Sequence, residues 1–456
     1  MNKIVKGALS VCCAAVAAIG LASCSGGASA YEIAVKNGYE GTESQWLEHI
    51  QGDDGKNGND LNIKDIYEEA RKEGYEGEFL DFLKEYLSAD VKENNDTAQI
   101  AENIMSVVSV DCGFGYKEGG GWMGYGSTIE YKQISGSGVI IDLDEEKGTA
   151  YVVTNYHVIY DSTSIAKNGF CDNIWCYPYG ALNNFDAKKG GQSDGGMKAE
   201  LLGGAMDYDI ALLKISGDVL KEGVVREAKC GDSDKVTAGE KVYAIGNPEG
   251  AGISVTSGLI SVESEYIRMT ATDGVGKVSY RVMRTDAAIN GGNSGGALFN
   301  AQGELIGITN AKSIGEETDN MGFALPITPV KYLLENIWTY GTCAKVARLG
   351  ATVSVRSSSA HFNDGGELEI VEVLHVTAPA AMNMADYGKF EQFDVLEWVQ
   401  IGEGEKHYLT RAYQLDDLLL TVRMNDTVTF GVKREGNVTE TVSVEFGKES
   451  YFKEYA

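Results

Sequence analysis

Proline is scarce in this chain: 5 residues in 456, against 57 glycines. A backbone with that balance turns mainly on glycine, which fits a β-rich chain of short strands and many turns. Positive charge is short as well. Lys and Arg number 39 against 67 Asp and Glu, a net charge of −28, which speaks against nucleic acid or anionic lipid held by electrostatics. Beyond the first two dozen residues no apolar run is long enough to cross a bilayer, which excludes an integral membrane protein. Cysteine is too unevenly placed for a disulfide framework. Cys12, Cys13 and Cys24 fall in or at the end of the N-terminal segment, leaving Cys112, Cys171, Cys176, Cys230 and Cys343, an odd set. Cys171 and Cys176 are near enough in sequence for a small loop bridge, but mostly free thiols are favoured. The spacing offers no His or Cys set for zinc, and no metal is expected. The length leaves room for two or three domains, each with its own core.

What the chain does have is centred on Ile289-Asn-Gly-Gly-Asn-Ser294-Gly-Gly-Ala-Leu298. A serine flanked by glycines sits on a sharp turn with its hydroxyl free, and neighbouring N–H groups converge on one spot. Acyl transfer needs that pairing of nucleophile and oxyanion donors. A Gly-rich hairpin loop is the plain structural alternative. A nucleophilic serine needs a base, and of the 5 histidines only His157 lies in the long middle section. It ends the apolar run Tyr151-Val-Val-Thr-Asn-Tyr-His157. A carboxylate must fix its tautomer. Asp209, at the mouth of the apolar stretch Ile210-Ala-Leu-Leu-Lys-Ile, fits that task, with Asp207 as its close competitor.

These stretches together resemble the HtrA/Deg family of trypsin-like serine proteases. The order His, Asp, Ser is the chymotrypsin order. The strings that match are Ser135-Gly-Ser-Gly-Val-Ile-Ile, Thr154-Asn-Tyr-His157-Val-Ile, Asp209-Ile-Ala-Leu-Leu-Lys, Ala244-Ile-Gly-Asn-Pro-Glu-Gly, Ser254-Val-Thr-Ser-Gly-Leu-Ile-Ser and Thr285-Asp-Ala-Ala-Ile-Asn before the glycines. The resemblance covers residues 100–448. It departs at Gly291 and Ala297, where the family usually and often, respectively, has proline. It implies a mainly β chain: a chymotrypsin-like double β-barrel followed by a PDZ domain. It implies His157, Asp209 and Ser294 as the catalytic residues, and Gly292, Asn293 and Ser294 as the oxyanion hole. Ala288, six residues before the nucleophile, would floor an uncharged P1 pocket, with Ile308, Thr309 and Asn310 on the strand that pairs with substrate. The PDZ resemblance rests on Arg348-Leu-Gly-Ala, Val376-Thr-Ala-Pro-Ala-Ala, Phe393-Asp-Val-Leu, a helix around Tyr413–Arg423, Asn425-Asp-Thr-Val-Thr-Phe and Val438–Glu445. Backbone N–H groups at Leu349, Gly350 and Ala351 would hold a peptide C-terminus. A domain that only packs on the protease or a neighbouring subunit is the alternative. The resemblance further implies unfolded protein or peptide substrates cleaved after small or medium apolar residues, no cofactor, and a homo-trimer. A peptide-binding or chaperone-like surface protein with a latent protease site is the second reading.

The N-terminus reads as a targeting segment: Lys3 and Lys6, then an apolar run from Ala8 to Leu21. It closes in Leu21-Ala-Ser-Cys24, which resembles a bacterial lipobox and implies lipidation of Cys24, hence an extracytoplasmic protein anchored to a membrane. Residues 24–30 would be a tether. Residues 31–93 hold a repeat. Tyr31-Glu-Ile-Ala-Val-Lys-Asn-Gly-Tyr-Glu-Gly41 recurs 36 positions on as Tyr67-Glu-Glu-Ala-Arg-Lys-Glu-Gly-Tyr-Glu-Gly77. Each copy reads as two short helices about a turn, giving a small helical module, with a solvated stalk as the plain alternative. The protease section is expected over 94–342. It opens on a helix capped at Asn94-Asn-Asp96-Thr with Ile100, Ile104 and Val107 on one face. Lys117–Ser127, Asp161–Gly196 and Ile314–Asn320 read as loop insertions, the second with a mobile tip. The PDZ-like domain is expected over 346–448.

Overall fold

In a computed structural model the chain is described over residues 71–72, 95–118, 128–189, 195–311, 321–341, 343–362, 368–378, 390–434 and 439–455. It divides into two compact units, 1–93 and 94–456. In the first, only Arg71 and Lys72 are described, and both are helical. The expected targeting segment, Cys24 and nearly all of the repeats lie outside the described residues. Among the described residues no helix is long and apolar enough to cross a membrane.

The second unit opens with helix α1, Asn95–Ile104. Asp96 lies inside it, and Val107 is not on its face: the chain turns at Met105-Ser106 and Val107 starts the first strand. Strands β1 Val107–Glu118, β2 Thr128–Asp144 and β3 Thr149–Thr154 lead to the single turn of α2, Tyr156–Ile159. Then follow β4 Ile174–Pro178, β5 Met197–Ala205 and β6 Ile210–Ser216. They close a barrel in the order β1-β2-β3-β6-β5-β4 with antiparallel neighbours. Its core is made by period-2 apolar positions, Val108, Val110, Cys112 and Phe114 on β1 against Val152, Leu213 and Ile215. The barrel strand β4 falls inside Asp161–Gly196, so that stretch is not one loop. Residues 119–127, 190–194 and 312–320 are outside the described residues.

A second barrel repeats the plan with β7 Lys241–Gly246, β8 Ser254–Thr270, β9 Lys277–Thr285, β10 Ala297–Asn300, β11 Leu305–Asn310 and β12 Gly322–Pro326. Its closed order is β10-β11-β12-β9-β8-β7. Helix α3, Ile327–Tyr340, lays Val330, Leu333, Leu334 and Ile337 on a core shared with that barrel. Strand β13, Ala344–Ala347, pairs with the last strand β20, Phe452–Tyr455, beyond the expected boundary at 448. Between them lies a sheet in the order β14-β15-β16-β18-β19, with β17 Lys406–Tyr408 paired to β16. Its strands are β14 Thr352–Phe362, β15 Leu368–Ala378, β16 Val395–Ile401, β18 Thr427–Lys433 and β19 Thr439–Glu445. Helix α4, Ala412–Leu419, ends earlier than the expected Tyr413–Arg423. The five described cysteines are free thiols, Cys112, Cys171 and Cys176 buried in the first barrel.

Candidate active site

Asp209 from the turn before β6, His157 from α2 and Ser294 from the loop before β10 meet between the barrels. Asp209 precedes β6 in the left-handed region, φ +54°, a conformation aspartate tolerates better than most residues. That turn aims its carboxylate back at α2. The backbone N–H of His157 donates to Oδ1 at 3.0 Å, and His157 Nδ1 lies 2.7 Å from Oδ2. The Asp209 carbonyl accepts from Asn155 Nδ2 at 2.9 Å and from the Tyr156 N–H at 3.1 Å, so residues 155–157 wrap one acid. His157 Nε2 lies 2.9 Å from Ser294 Oγ. Asp209 is 1% exposed. Its nearest rival is engaged elsewhere: the Asp207 carboxylate pairs with Lys453.

The serine turn depends on two glycines. Gly292 and Gly295 have φ of +91° and +84°. A Cβ at Gly292 would sit 2.2 Å from the Asn247 carbonyl, and one at Gly295 2.2 Å from the Ser137 carbonyl. Neither position admits a side chain. Among the described residues the N–H groups of Gly292 and Ser294 have no partner, while the Asn293 N–H donates to Asn290 O at 3.0 Å. Of the three expected oxyanion donors, Asn293 is therefore spent within its own turn.

Ala288 is exposed, and its carbonyl accepts from Thr256 Oγ1 at 2.9 Å. Asp286 turns away from it and accepts the Leu259 N–H at 2.6 Å. The side chains of the expected pocket strand are committed elsewhere. Ile308 is in the second barrel's core, Thr309 Oγ1 donates to Asn293 O at 2.5 Å, and Asn310 Nδ2 donates to Asp209 Oδ2 at 2.9 Å. The backbone at the end of β11 is engaged as well: Asn310 pairs with Phe323 of β12, and the Ala311 N–H donates to Ser294 Oγ at 3.1 Å. Asn310 also meets the Tyr280 hydroxyl at 3.3 Å, whose pKa is pushed up by burial and by the negative Asp209.

Residues 136–308 match the family model of the trypsin-like peptidase domain. Serine protease Do-like HtrA of Lactococcus lactis subsp. cremoris is 32% identical over 341 residues, 72% of this chain and 75% of the relative. The chain belongs to the HtrA family of trypsin-like serine proteases. It is a serine endopeptidase. Among other HtrA relatives, periplasmic serine endoprotease DegP of Escherichia coli is 37% identical over 226 residues, 49% of this chain and 40% of that one. The solved HtrA-type protease AlgW with tripeptide is 24% identical with a TM-score of 0.49, over 76% of this chain and 95% of the other.

This HtrA chain has a second concavity, away from Ser294. A cleft of about 470 Å³ opens between the second barrel and the C-terminal sheet, lined by Tyr266, Arg281, Leu349, Gly350, Ala351 and Asp417 among others. Among the described residues the N–H groups of Leu349, Gly350 and Ala351 have no partner, and Gly350 has φ +75°. They lead directly into β14, an edge strand. The roles of Asn155, Thr309 and Asn310 at the catalytic loops escaped sequence reasoning. Asn155 carried a signal, since it stands within the string Thr154-Asn-Tyr-His157.

Proposed function

We propose that this protease is an ATP-independent endopeptidase that cleaves unfolded or damaged exported proteins, with Ser294 as nucleophile, His157 as general base and Asp209 as the carboxylate that orients it. The observation that carries this reading is the hydrogen-bonded line Asp209–His157–Ser294, at 2.7 and 2.9 Å. His157 Nε2 takes the Ser294 proton as Oγ attacks the scissile carbonyl, then returns it to the leaving amine. Asp209 holds Nδ1–H and stabilises the imidazolium. A water activated by the same base releases the acyl group. The N–H groups of Gly292 and Ser294 receive the oxyanion, and losing one such donor costs ~3 kcal/mol of transition-state stabilisation.

Ala288 supports a preference for small or medium apolar P1 residues. The unpartnered N–H groups at 349–351 beside the edge strand β14 support a PDZ-like domain over 346–448 that grips a peptide C-terminus. The relatives named periplasmic support an extracytoplasmic location. The string Leu21-Ala-Ser-Cys24 supports a lipid anchor at Cys24, a tether over 24–30 and the helical repeats over 31–93 ahead of the protease. The family resemblance carries the trimer. Purified protein treated with a fluorophosphonate is expected to label on Ser294, and Ser294→Ala to stay unlabelled. Folded wild type without label would overturn the reading.

A further inference from the structure

Every carbonyl from Asn290 to Ser294 has a donor of its own. Asn290 O accepts the Asn293 N–H at 3.0 Å, and Gly291 O accepts the Glu249 N–H at 2.7 Å. Gly292 O accepts the Ser137 hydroxyl at 2.8 Å. Asn293 O accepts the Thr309 hydroxyl at 2.5 Å and the Gly296 N–H at 2.9 Å. Ser294 O accepts the Ser137 N–H at 2.8 Å. A trans peptide unit is planar, with its C=O and N–H on opposite sides. Holding the Gly291 carbonyl on Glu249 therefore aims the Gly292 N–H the other way. Holding the Asn293 carbonyl on Thr309 does the same for the Ser294 N–H. These are the two N–H groups left without partners.

We propose that Thr309 is a positioning residue for the oxyanion site rather than part of the P1 pocket. Its hydroxyl fixes the Asn293–Ser294 peptide, so that the Ser294 N–H faces the carbonyl oxygen under attack. Thr309 is 0% exposed, so its hydroxyl has no water to turn to. Rotating that peptide would strand a buried donor and swing a carbonyl toward the oxyanion. The loop has Gly291 where the family usually has proline, and the donors around it supply stiffness from outside the loop. This deepens the reading of Ser294 as nucleophile and rests on it.

Thr309→Val keeps the shape and removes the hydroxyl, and Thr309→Ser keeps the hydroxyl. Turnover of fluorescein-labelled casein gives kcat and KM. Complete loss of an oxyanion donor costs roughly 100- to 1,000-fold in kcat. Misplacing one should cost part of that, so Thr309→Val is expected to lower kcat roughly 10- to 100-fold with KM within about twofold. Thr309→Ser should stay within about threefold of wild type in both. If Thr309→Val does not fold, as judged by its thermal transition, Thr309→Ala carries the same expectation. A hydroxyl-free variant within twofold of wild type, equal losses in both variants, or a raised KM at constant kcat would each overturn the proposal. Wild type that fails to label with fluorophosphonate would instead sink the nucleophile assignment.

Discussion

Two aspartates set the charge near Ser294 by where they point. Asp209 faces inward and takes its hydrogen bonds from His157 and Asn310, whereas the Asp286 carboxylate is held by the Leu259 N–H. The P1 pocket we propose, floored by Ala288, would penalise an unpaired Lys or Arg by several kcal/mol, because the cation loses water and gains no partner. One methylene more or less shifts kcat/KM only ~10–200-fold. Cleavage sites in unfolded casein, mapped by mass spectrometry, should thus fall after Val, Ala, Leu or Ile, with few after Lys or Arg. Ala288→Asp should move cuts toward basic residues. A wild-type majority after Lys or Arg would mean that Asp286 or another acid reaches the pocket. The three residues brought together here were legible in sequence because each has a local mark: glycines around Ser294, and apolar strands ending at His157 and opening after Asp209. Thr309 and Asn310 had no such mark. Their partners lie 16 and 101 positions away, and only barrel closure brings them near.

At the scale of elements, the loop 290–293 is a turn whose type explains its sequence. The Asn293 N–H closes onto Asn290 O, Gly292 has φ +91°, and Gly291 is not in the positive-φ region. That is a type II turn, which demands glycine at its third position and welcomes proline at its second. A Cβ at Gly291 meets nothing within 4 Å. Gly291→Pro should therefore keep casein turnover and raise stability by ~0.4–1 kcal/mol through the unfolded state. Gly292→Ala puts a methyl into the Asn247 carbonyl and should abolish fluorophosphonate labelling. Equal activity in the two variants would refute the turn assignment. The barrels themselves were foreseen from the family resemblance, but not every strand was. Ile174-Trp-Cys-Tyr-Pro178 is only a five-residue strand set between polar, Gly-containing stretches, so it read as part of an insertion. Val107 continues the apolar spacing of α1 and was drawn into it, although the chain turns at Met105-Ser106 first.

Across the whole described unit, α4 beside the C-terminal sheet is tied to the second barrel at a buried cation. Arg281 on β9 is 6% exposed and holds Asp417 of α4 at 2.6 Å and Asp234 at 2.9 Å, its guanidinium 3.4 Å over the Tyr413 ring. Tyr266 adds a bond to Asp416 at 2.5 Å, and Arg411 one to Glu263 at 3.2 Å. Two acids thus share one arginine. Burial pushes the Asp417 carboxyl up to about 7, with Arg281 pulling the other way and Asp234 adding to the rise. A carboxyl whose pKa rises on folding favours the folded state in its protonated form. Its contribution is fully present below the unfolded pKa near 3.8 and is lost as pH climbs through about 7. Between pH 6 and 8 the loss is about 1.4 kcal/mol for this one group. Unfolding measured by denaturant at the two pH values should show that drop in wild type, and Asp417→Asn should flatten it. Hydrogen exchange in α4 should report the same trend if docking loosens before the barrels do. Arg281→Met is the opposite perturbation. It leaves Asp417 buried without its cation, Asp234 being exposed enough to be solvated, and should cost ~3–5 kcal/mol at pH 8, and less at pH 6 where Asp417 can hold a proton. A penalty for Arg281→Met that is the same at both pH values would show that Asp417 stays ionised throughout, and that the arginine outweighs burial.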